Sequence, residues 1–353
     1  MPSRDAPATL AWDETFPQIC SLIKAKWLRA MRPAWCVVAI GILALSIPCA
    51  TGSFNITSWS SVLQATLSVA AFLAAAAYLH RLDHHRIALA LEAAALFNAT
   101  VVVGLPLESV LASAALPFQD HALVEADRTM GIDWVALAFW FREHPAFTLA
   151  LCYAYASIGW QPMLLIPVLA WASPERLRRV MTTCAVVLAI TMVVFLVAPA
   201  IGPYEYFHFK AADFPAVRVS AAWVAPPITE SLRNGLHEFY FAGLVTFPSY
   251  HAVTALLFGF GWLAVPFLRW VFVPLNLLML ISCVPIGSHY VIDVVVGAAL
   301  VLLCYPAISR YYDKTDRYQP LLPSNAAPLN AKWLLDGLAR RGWNRPKLKS
   351  ESI

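Results

Sequence analysis

Residues 180–200 read VMTTCAVVLAITMVVFLVAPA, a stretch of 21 positions without aspartate, glutamate, lysine or arginine. A helix needs about 20 apolar residues to cross the ~30 Å hydrocarbon core of a bilayer, so this stretch predicts a transmembrane helix. Seven further runs of this kind occur, and the eight together are 34–53, 59–78, 87–113, 147–172, 180–200, 249–267, 270–287 and 290–308. The sequence therefore predicts an all-α, polytopic membrane protein with about eight transmembrane helices.

The composition of the 353-residue chain supports this class. Hydrophobic residues make up 60% of the chain and charged residues 13%, whereas roughly a quarter of the residues of an ordinary soluble domain are charged. Such a chain has too little polar surface to coat a soluble globule of its size. The composition therefore excludes a soluble cytosolic enzyme, a disordered protein and a nucleic-acid binder. The seven cysteines have neither CxxC nor zinc-ligand spacing, so we expect no disulfide framework and no metal site.

The distribution of lysine and arginine predicts the orientation of the spans. Eight spans place both termini on one side of the membrane, and that side carries 20 of the chain's 25 Lys and Arg residues. Cytoplasmic segments carry an excess of positive charge, so we expect both termini in the cytoplasm and the loops 114–146 and 201–248 outside. The remaining five cations lie in the two outer loops: Arg128, Arg142, Lys210, Arg218 and Arg233.

This topology divides the chain into four parts. They are a basic cytoplasmic N-terminus (1–33), three N-terminal transmembrane helices (34–113), a membrane core with an outward-facing site (114–308) and a basic cytoplasmic tail (309–353). We expect a multi-pass protein of the bacterial inner membrane whose site faces the periplasm.

One outer segment, residues 120–142, is too long to be a simple turn. It carries Asp120 and Asp127 one heptad apart, with apolar residues between and after them. This pattern is typical of an amphipathic helix that lies in the membrane interface. A helix that packs on the bundle fits the pattern equally well, and both interpretations stay open.

The first stretch that concentrates polar groups at the start of a predicted span is Phe247-Pro248-Ser249-Tyr250-His251. Proline suits the first turn of a helix, and serine is a common helix cap. The free amides and the positive dipole end of such a helix start form a ready anion-binding site.

The second stretch is Gly287-Ser288-His289-Tyr290-Val291-Ile292-Asp293. His289 and Asp293 are four residues apart, so they are neighbours on one face of a helix. The carboxylate can fix the tautomer of the imidazole and leave its other nitrogen free to attack. His251 and His289 are separated by one span inward, a turn at Arg269 and one span back, which places both histidines on the outer side. These features predict a phosphoryl-transfer site, whereas the plain alternative is an interfacial histidine and a packing hydrogen bond.

The two stretches resemble the second and third signatures of the phosphatidic acid phosphatase type 2 superfamily, PSGH and SR-x5-H-x3-D. Here Tyr250 replaces the glycine of the second signature, and Cys283, after Ser282, replaces the arginine of the third. The first signature, K-x6-R-P, is absent. These departures resemble the branch that includes the inositolphosphorylceramide (aureobasidin-type) and sphingomyelin synthases. The resemblance covers roughly residues 145–305.

The resemblance implies a six-helix catalytic core, a phosphohistidine intermediate and no metal or other cofactor. Carried over by position, His289 is the nucleophile, Asp293 orients it, and His251 protonates the departing oxygen. Ser249 is expected to help hold the phosphate. We place Tyr250 and Tyr290, their neighbours in the two motifs, among the substrate-binding residues.

The missing signature arginine leaves the phosphate without its usual cation. Among the outer cations, Arg233 lies 15 residues before Pro248, and a guanidinium matches the geometry of phosphate oxygens. We therefore predict that Arg233 is the phosphate clamp, with Arg218 or Lys210 as its helper. The alternative is that Arg233 is a solvated loop residue.

Three functions are compatible with these features. The first is a phosphatase that hydrolyses a lipid phosphate or diphosphate, and the second is a transferase that passes a phospho-headgroup to a lipid alcohol. The third, a transporter, is disfavoured because the spans are almost purely apolar at mid-depth. The expected partners are a lipid phosphate or phospholipid substrate and the bilayer, with no nucleic acid, and the sequence does not indicate an oligomeric state.

Overall fold

The fold is built from helices that pack side by side. The structure is a computed structural model that describes residues 31–56, 59–217 and 221–316. Within these ranges the regular structure is helical, apart from an isolated bridge between Asn55 and Glu238. The all-α class predicted from the sequence is therefore confirmed for the described part.

The helices are α1 (Arg32–Ala50), α2 (Trp59–Arg81), α3 (His85–Ala112), α4 (Asp120–Thr129), α5 (Trp134–Glu143), α6 (Pro145–Ala156), α7 (Gln161–Ala172), α8 (Pro174–Val197), α9 (Pro203–Tyr206), α10 (Ala221–Arg233), α11 (Tyr250–Trp262), α12 (Arg269–Ser282) and α13 (Val291–Asp316). Two short 3₁₀ helices, Ser157–Gly159 and Ala211–Asp213, lie between them.

Five of the described helices are long and apolar enough to cross a membrane. They are α1, α2 (from Val62), α3, α8 and α13, and α6 with α7 makes a sixth if the two are counted as one bent span. The chain is thus a multi-pass membrane protein. Helices α11 and α12 have 13 and 14 residues, so each rises only about 20 Å. The count of eight spans stays a prediction for that reason.

The predicted span 147–172 is not one continuous helix. The 3₁₀ turn Ser157–Gly159 separates α6 from α7, and the two helix axes differ in direction by 56°. Pro162 stands in the first turn of α7, where a residue without an N–H is tolerated, so a new helix begins there.

Helix α13 is longer than predicted, because it continues to Asp316 rather than ending at 308. Two ion pairs join this extension to α8: Arg179 with Asp313 at 2.6 Å, and the buried Arg178 with Asp316. Part of the predicted tail therefore belongs to the bundle, and the rest, like the predicted N-terminus up to residue 30, lies outside the described residues.

Helix α3 joins the N-terminal helices to the rest of the bundle. It packs against α1 and α2 on one side and against α7 and α8 on the other. The largest apolar core lies where these elements meet α11, with Leu96, Leu169, Leu257 and Phe258 almost fully buried. The C-terminal end of α3 thereby lies beside the start of α11.

Residues 120–142 form two helices that pack on the bundle. Gly131, with a positive φ of 78°, lies in the turn between α4 and α5. Asp120 and Asp127 are 2% and 1% exposed, so these two side chains of α4 point into the protein. Of the two interpretations of this segment, packing on the bundle is the one that the structure shows.

Candidate active site

The start of α11 forms one half of the candidate site. Ser249 is the N-cap residue: its Oγ accepts a hydrogen bond from the N–H of Ala252 at 3.3 Å, and its side chain is fully buried. The N–H groups of Tyr250 and His251 lie in the first turn, where a helix has no internal acceptor. Within the described chain neither of these two amides donates a hydrogen bond. The helix start can therefore bind an anion.

The turn before α13 forms the other half. His289 Nδ1 and Asp293 Oδ2 are 3.4 Å apart, and both side chains are buried. Asp293 Oδ2 also accepts a hydrogen bond from the N–H of Tyr290 at 2.9 Å, which fixes the carboxylate. Ser288 has a φ of 56°, in the left-handed region that costs energy for a residue with a side chain. Strained backbone of this kind is common at functional sites.

A backbone hydrogen bond and an aromatic ring connect the two halves. The N–H of Ser249 donates to the carbonyl oxygen of Asp293 at 3.2 Å. The ring of Tyr155, on α6, stacks on His251 with centroids 4.1 Å apart, and its hydroxyl lies 3.2 Å from His251 Nδ1. Gly287 lies between the His289 ring and the Tyr155 ring, because a Cβ on this glycine would be 2.7 Å from the first and 3.0 Å from the second. The two histidines therefore share Tyr155 as a neighbour.

Three buried polar atoms of the second half have no hydrogen-bond partner within the described residues. They are Ser288 Oγ, His289 Nδ1 and Asp293 Oδ1. Buried polar atoms are usually satisfied, and exceptions concentrate where a site awaits its ligand or tightens during reaction. The separation of 3.4 Å between His289 and Asp293 is of this kind, since it exceeds an ordinary hydrogen bond by a few tenths of an ångström.

Helix α4 supports the site through its two buried aspartates. Asp127 accepts hydrogen bonds from the N–H groups of Val291 and Ile292 at 2.9 and 2.8 Å, so it caps the start of α13. Burial raises the pKa of the Asp127 carboxyl, while these two donors act in the opposite direction. Asp120 accepts a hydrogen bond from the hydroxyl of Tyr290 at 2.9 Å.

The 199–204 segment packs on the turn that carries His289. Asp120 holds this segment by accepting from the N–H of Gly202 at 2.9 Å. Gly202 has a φ of 98°, and a Cβ there would lie 2.9 Å from Ser288 Oγ, so only glycine fits. Next to it, Tyr204 donates a hydrogen bond to the carbonyl oxygen of Pro285 at 3.0 Å.

Two further residues fix the backbone around the histidines. Trp134, the first residue of α5, donates from Nε1 to the carbonyl oxygen of His289 at 3.1 Å. Glu108, near the end of α3, accepts from the N–H groups of Leu244 and Val245. Because these lie a few residues before Ser249, Glu108 anchors the segment that leads into α11.

The structure brings together four of the residues predicted from the sequence: Ser249, His251, His289 and Asp293. Tyr250 and Tyr290 are close in the chain, but their hydroxyls are engaged elsewhere. Tyr250 donates to the carbonyl oxygen of Cys184 at 3.0 Å, and the fully buried Tyr290 donates to Asp120.

Within the described residues, two of the predicted clamp residues, Arg233 and Lys210, form no hydrogen bond or ion pair with the histidines. The Arg233 guanidinium donates to the carbonyl oxygens of Leu116 and Ala115 at 2.8 and 3.3 Å and lies over the ring of Phe118. Lys210 is exposed, and Arg218 lies outside the described residues. The short sequence distance from Arg233 to Pro248 was misleading, because α10 ends beside the 115–118 segment instead of folding over α11.

Three residues of the site were not predicted from the sequence: Tyr155, Trp134 and Glu108. Each lies more than 95 residues from its partner in the site, so no local spacing pairs them. The heptad spacing of Asp120 and Asp127 was a usable signal, since two carboxylates on one helical face suggest a shared task. No cluster of three or more His, Cys, Asp or Glu side chains suited to a metal ion occurs in the described ranges.

Comparison with known proteins supports the motif assignment. A family model described as PAP2 superfamily matches residues 121–307, which is more than half of the chain. The matched range begins at α4, earlier than the two motifs alone indicated, and it includes both histidines of the site. Neither the comparison with curated proteins nor that with solved structures gave a match.

Proposed function

The chain belongs to the PAP2 superfamily, and from that premise we propose that it is an integral membrane phosphatase acting on a lipid phosphate or diphosphate. The observation that carries this proposal is the pair His289–Asp293 beside His251 and the uncapped amides at the start of α11. A buried nucleophile, its orienting carboxylate, a second histidine and an anion site are the groups that phosphoryl transfer through an enzyme intermediate requires.

In the first step His289 attacks phosphorus. Asp293 faces Nδ1 and keeps the proton there, which leaves the lone pair of Nε2 free. A P–N bond forms as the bond between phosphorus and the lipid oxygen breaks. Asp293 stabilises the positive charge that develops on the ring.

His251 supplies the proton for the departing lipid oxygen. Its Nδ1 lies 3.2 Å from the Tyr155 hydroxyl. In the imidazolium form the Nδ1–H donates to that hydroxyl oxygen and the Nε2–H is transferred to the lipid oxygen, which leaves a neutral imidazole. In the second step His251 takes a proton from water as the water oxygen attacks phosphorus and the P–N bond breaks. The products are a lipid alcohol and inorganic phosphate, or a lipid phosphate plus inorganic phosphate from a diphosphate.

The phosphate is held mainly by uncharged donors in this proposal. Cys283, at the position of the family's arginine, is fully buried, and its thiol donates a hydrogen bond to the carbonyl oxygen of Met279 at 3.3 Å. The amides of Tyr250 and His251 and the dipole of α11 then bind the phosphoryl oxygens. Arg218 remains a proposed helper.

A second candidate is the transfer of a phospho-headgroup to a lipid alcohol. Cys283 in place of the arginine favours it, because the resemblance to the synthase branch rests on that departure. The phosphohistidine is the same, and a bound hydroxyl replaces water as the acceptor.

The proposed topology has eight spans and both termini in the cytoplasm, with the site on the periplasmic side of a bacterial inner membrane. The catalytic core is proposed to lie within residues 114–308, which contain α6 with α7, α8, α11, α12 and most of α13. The charge bias of 20 to 5 supports the orientation. The meeting of the C-terminal part of α3 with the starts of α11 and α13 at the site agrees with it.

One experiment tests the chemistry. The purified protein in vesicles is mixed with radiolabelled lipid phosphate, quenched in alkali to preserve phosphohistidine, and compared with His289→Ala. A labelled wild-type protein, an unlabelled variant and release of inorganic phosphate are expected. A parallel arm adds diacylglycerol or ceramide and supplies a phospholipid diester as donor, so a labelled transfer product would favour the second candidate. Wild-type turnover without label on His289 would contradict the mechanism.

A further inference from the structure

An apolar cavity of about 400 Å³ lies between α3, α8 and α11, beside the candidate site. Tyr250 and His251 line it at the start of α11, and Glu108 lines it near the end of α3. Cys184 of α8 and Gly159, from the turn between α6 and α7, lie on other walls. The cavity volume lies within the ~300–1,000 Å³ range of ligand pockets.

Helix α3 lines the cavity along much of its length. Its lining residues occupy one face from Leu96 to Glu108, which is 12 helical steps or about 18 Å along the axis. One leaflet of a bilayer has a hydrocarbon thickness of about 15 Å, half of the ~30 Å core. The cavity therefore runs from the level of His251 toward the middle of the membrane, over the depth that one lipid chain occupies.

We propose that this cavity binds one hydrocarbon chain of the lipid substrate, with its phosphate at His251 and His289. The inference rests on the proposed function and identifies the hydrocarbon chain as a part of the substrate that the protein recognises. Glu108 and His251 lie at the end where the headgroup would be. The hydroxyls of Thr100 and Thr254, which also line the cavity, donate to backbone carbonyl oxygens of their own helices. The side of a bound hydrocarbon chain that faces out of the cavity would contact membrane lipid, so it would not be exposed to water.

The proposed chain site is built partly outside the matched family domain. Helix α3 ends at Ala112, whereas the family model begins to match at residue 121. Helix α3 therefore contributes to setting the length of chain that fits, together with walls from inside the matched domain. A second apolar cavity, of about 260 Å³ between α1, α3 and α8, shares Thr100, Gly104 and Leu188 with the first but is lined by none of the site residues.

Two glycines allow the cavity to be filled without a clash. A Cβ on Gly159 or Gly243 would have no neighbouring atom within 4 Å, and both residues line the cavity. The test compares kcat/KM for hexadecyl phosphate and octyl phosphate in wild type, Gly159→Leu and Gly243→Leu. The ratio of the long-chain to the short-chain value is expected to fall about tenfold, since excluding two methylenes from an apolar site has an effect of that order.

Three controls accompany the substitutions. Gly159→Ala and Gly243→Ala remove the glycine but leave most of the volume, so the ratio should stay near that of wild type. Ala44→Leu fills the second cavity and should also leave the ratio unchanged. An equal loss for both chain lengths in the leucine variants, or an equal shift in Ala44→Leu, would overturn the proposal.

A binding measurement keeps the inference separate from the chemistry. Wild-type protein in vesicles is photolabelled with hexadecyl phosphate that carries a diazirine at the end of its chain. Labels are expected on α3 near Leu96 and on α8 near Met181, both of which line the cavity. Labels confined to lipid-facing residues such as Met163, which is 79% exposed, would refute the chain site. Labels in the cavity without turnover of either phosphate would instead refute the proposed function and leave the chain site standing.

Discussion

Replacement of Asp127 by alanine tests whether α4 holds the start of α13 in place. The carboxylate is 1% exposed and accepts two hydrogen bonds, from Val291 and Ile292, at 2.9 and 2.8 Å. A capping residue contributes about 0.5–2 kcal/mol, and a hydrogen bond to a charged group about 1.5–3 kcal/mol. Since the two bonds share one carboxylate, we expect Asp127→Ala to lower the free energy of unfolding by about 2–4 kcal/mol.

The same substitution should lower turnover more than its effect on stability explains. The N–H of Tyr290, one residue before the capped amides, fixes Asp293, so a displaced helix start also displaces the carboxylate from His289. A misplacement of about 1 Å at a reacting group can cost of the order of a hundredfold in rate. Asp127→Asn keeps one acceptor oxygen and should fall between alanine and wild type in both properties.

The assay is tryptophan-fluorescence unfolding in detergent, together with phosphate release in vesicles at a temperature where all variants are folded. Glu125→Ala is the matched control, because Glu125 lies on the same helix and forms only a half-exposed ion pair with Arg128. Such a pair contributes about 0–1 kcal/mol. Equal stability and equal turnover of Asp127→Ala and Glu125→Ala would refute the role given to α4.

Three further predictions concern the histidines and Arg233, which the sequence predicted to bind the phosphate. Asp293→Asn should keep the fold but reduce turnover about a thousandfold or more, because it removes the charge that stabilises the imidazolium; near-normal phosphate release would rule this out. Tyr155→Phe keeps the ring stacked on His251 but removes the hydroxyl at Nδ1, so we expect about tenfold slower turnover of alkyl phosphates and little change for an aryl phosphate, whose leaving group needs no proton. Arg233→Ala should change turnover about threefold or less, because its hydrogen bonds are made to the 115–118 segment; a hundredfold loss would restore its role as the clamp.

Local spacing explains which parts of the site could be predicted from the sequence. Ser249 before α11 and the pair His289–Asp293 depend on contacts within four residues, and helix geometry alone brings these groups together. The break between α6 and α7 also had a local signal, because Gly159 and Pro162 interrupt the apolar run. Hydropathy alone predicts one span here, whereas Gly159 and Pro162 indicate the break.

The supporting contacts could not be predicted because they depend on how distant helices pack. Tyr155 and His251 are 96 residues apart, and Asp127 and Val291 are 164 residues apart. The partners of Arg233 depend on packing in the same way, because nearness in sequence to Pro248 says little about the direction in which α10 runs. A guanidinium finds carbonyl oxygens or an aromatic ring wherever the chain folds, and here it finds Leu116 and Phe118.

The position of Cys283 bears on the choice between the two candidate reactions. Its thiol is fully buried and donates a hydrogen bond to the carbonyl oxygen of Met279, so this position offers no positive charge to a bound phosphate. A phosphate monoester carries up to two negative charges at neutral pH, whereas the diester of a phospholipid carries one. Helix-start amides offer partial positive charge equivalent to about half a unit, which balances a single charge better than two. The absence of the arginine therefore favours binding of a diester donor over a monoester. The arm of the labelling experiment that supplies a phospholipid diester tests this directly.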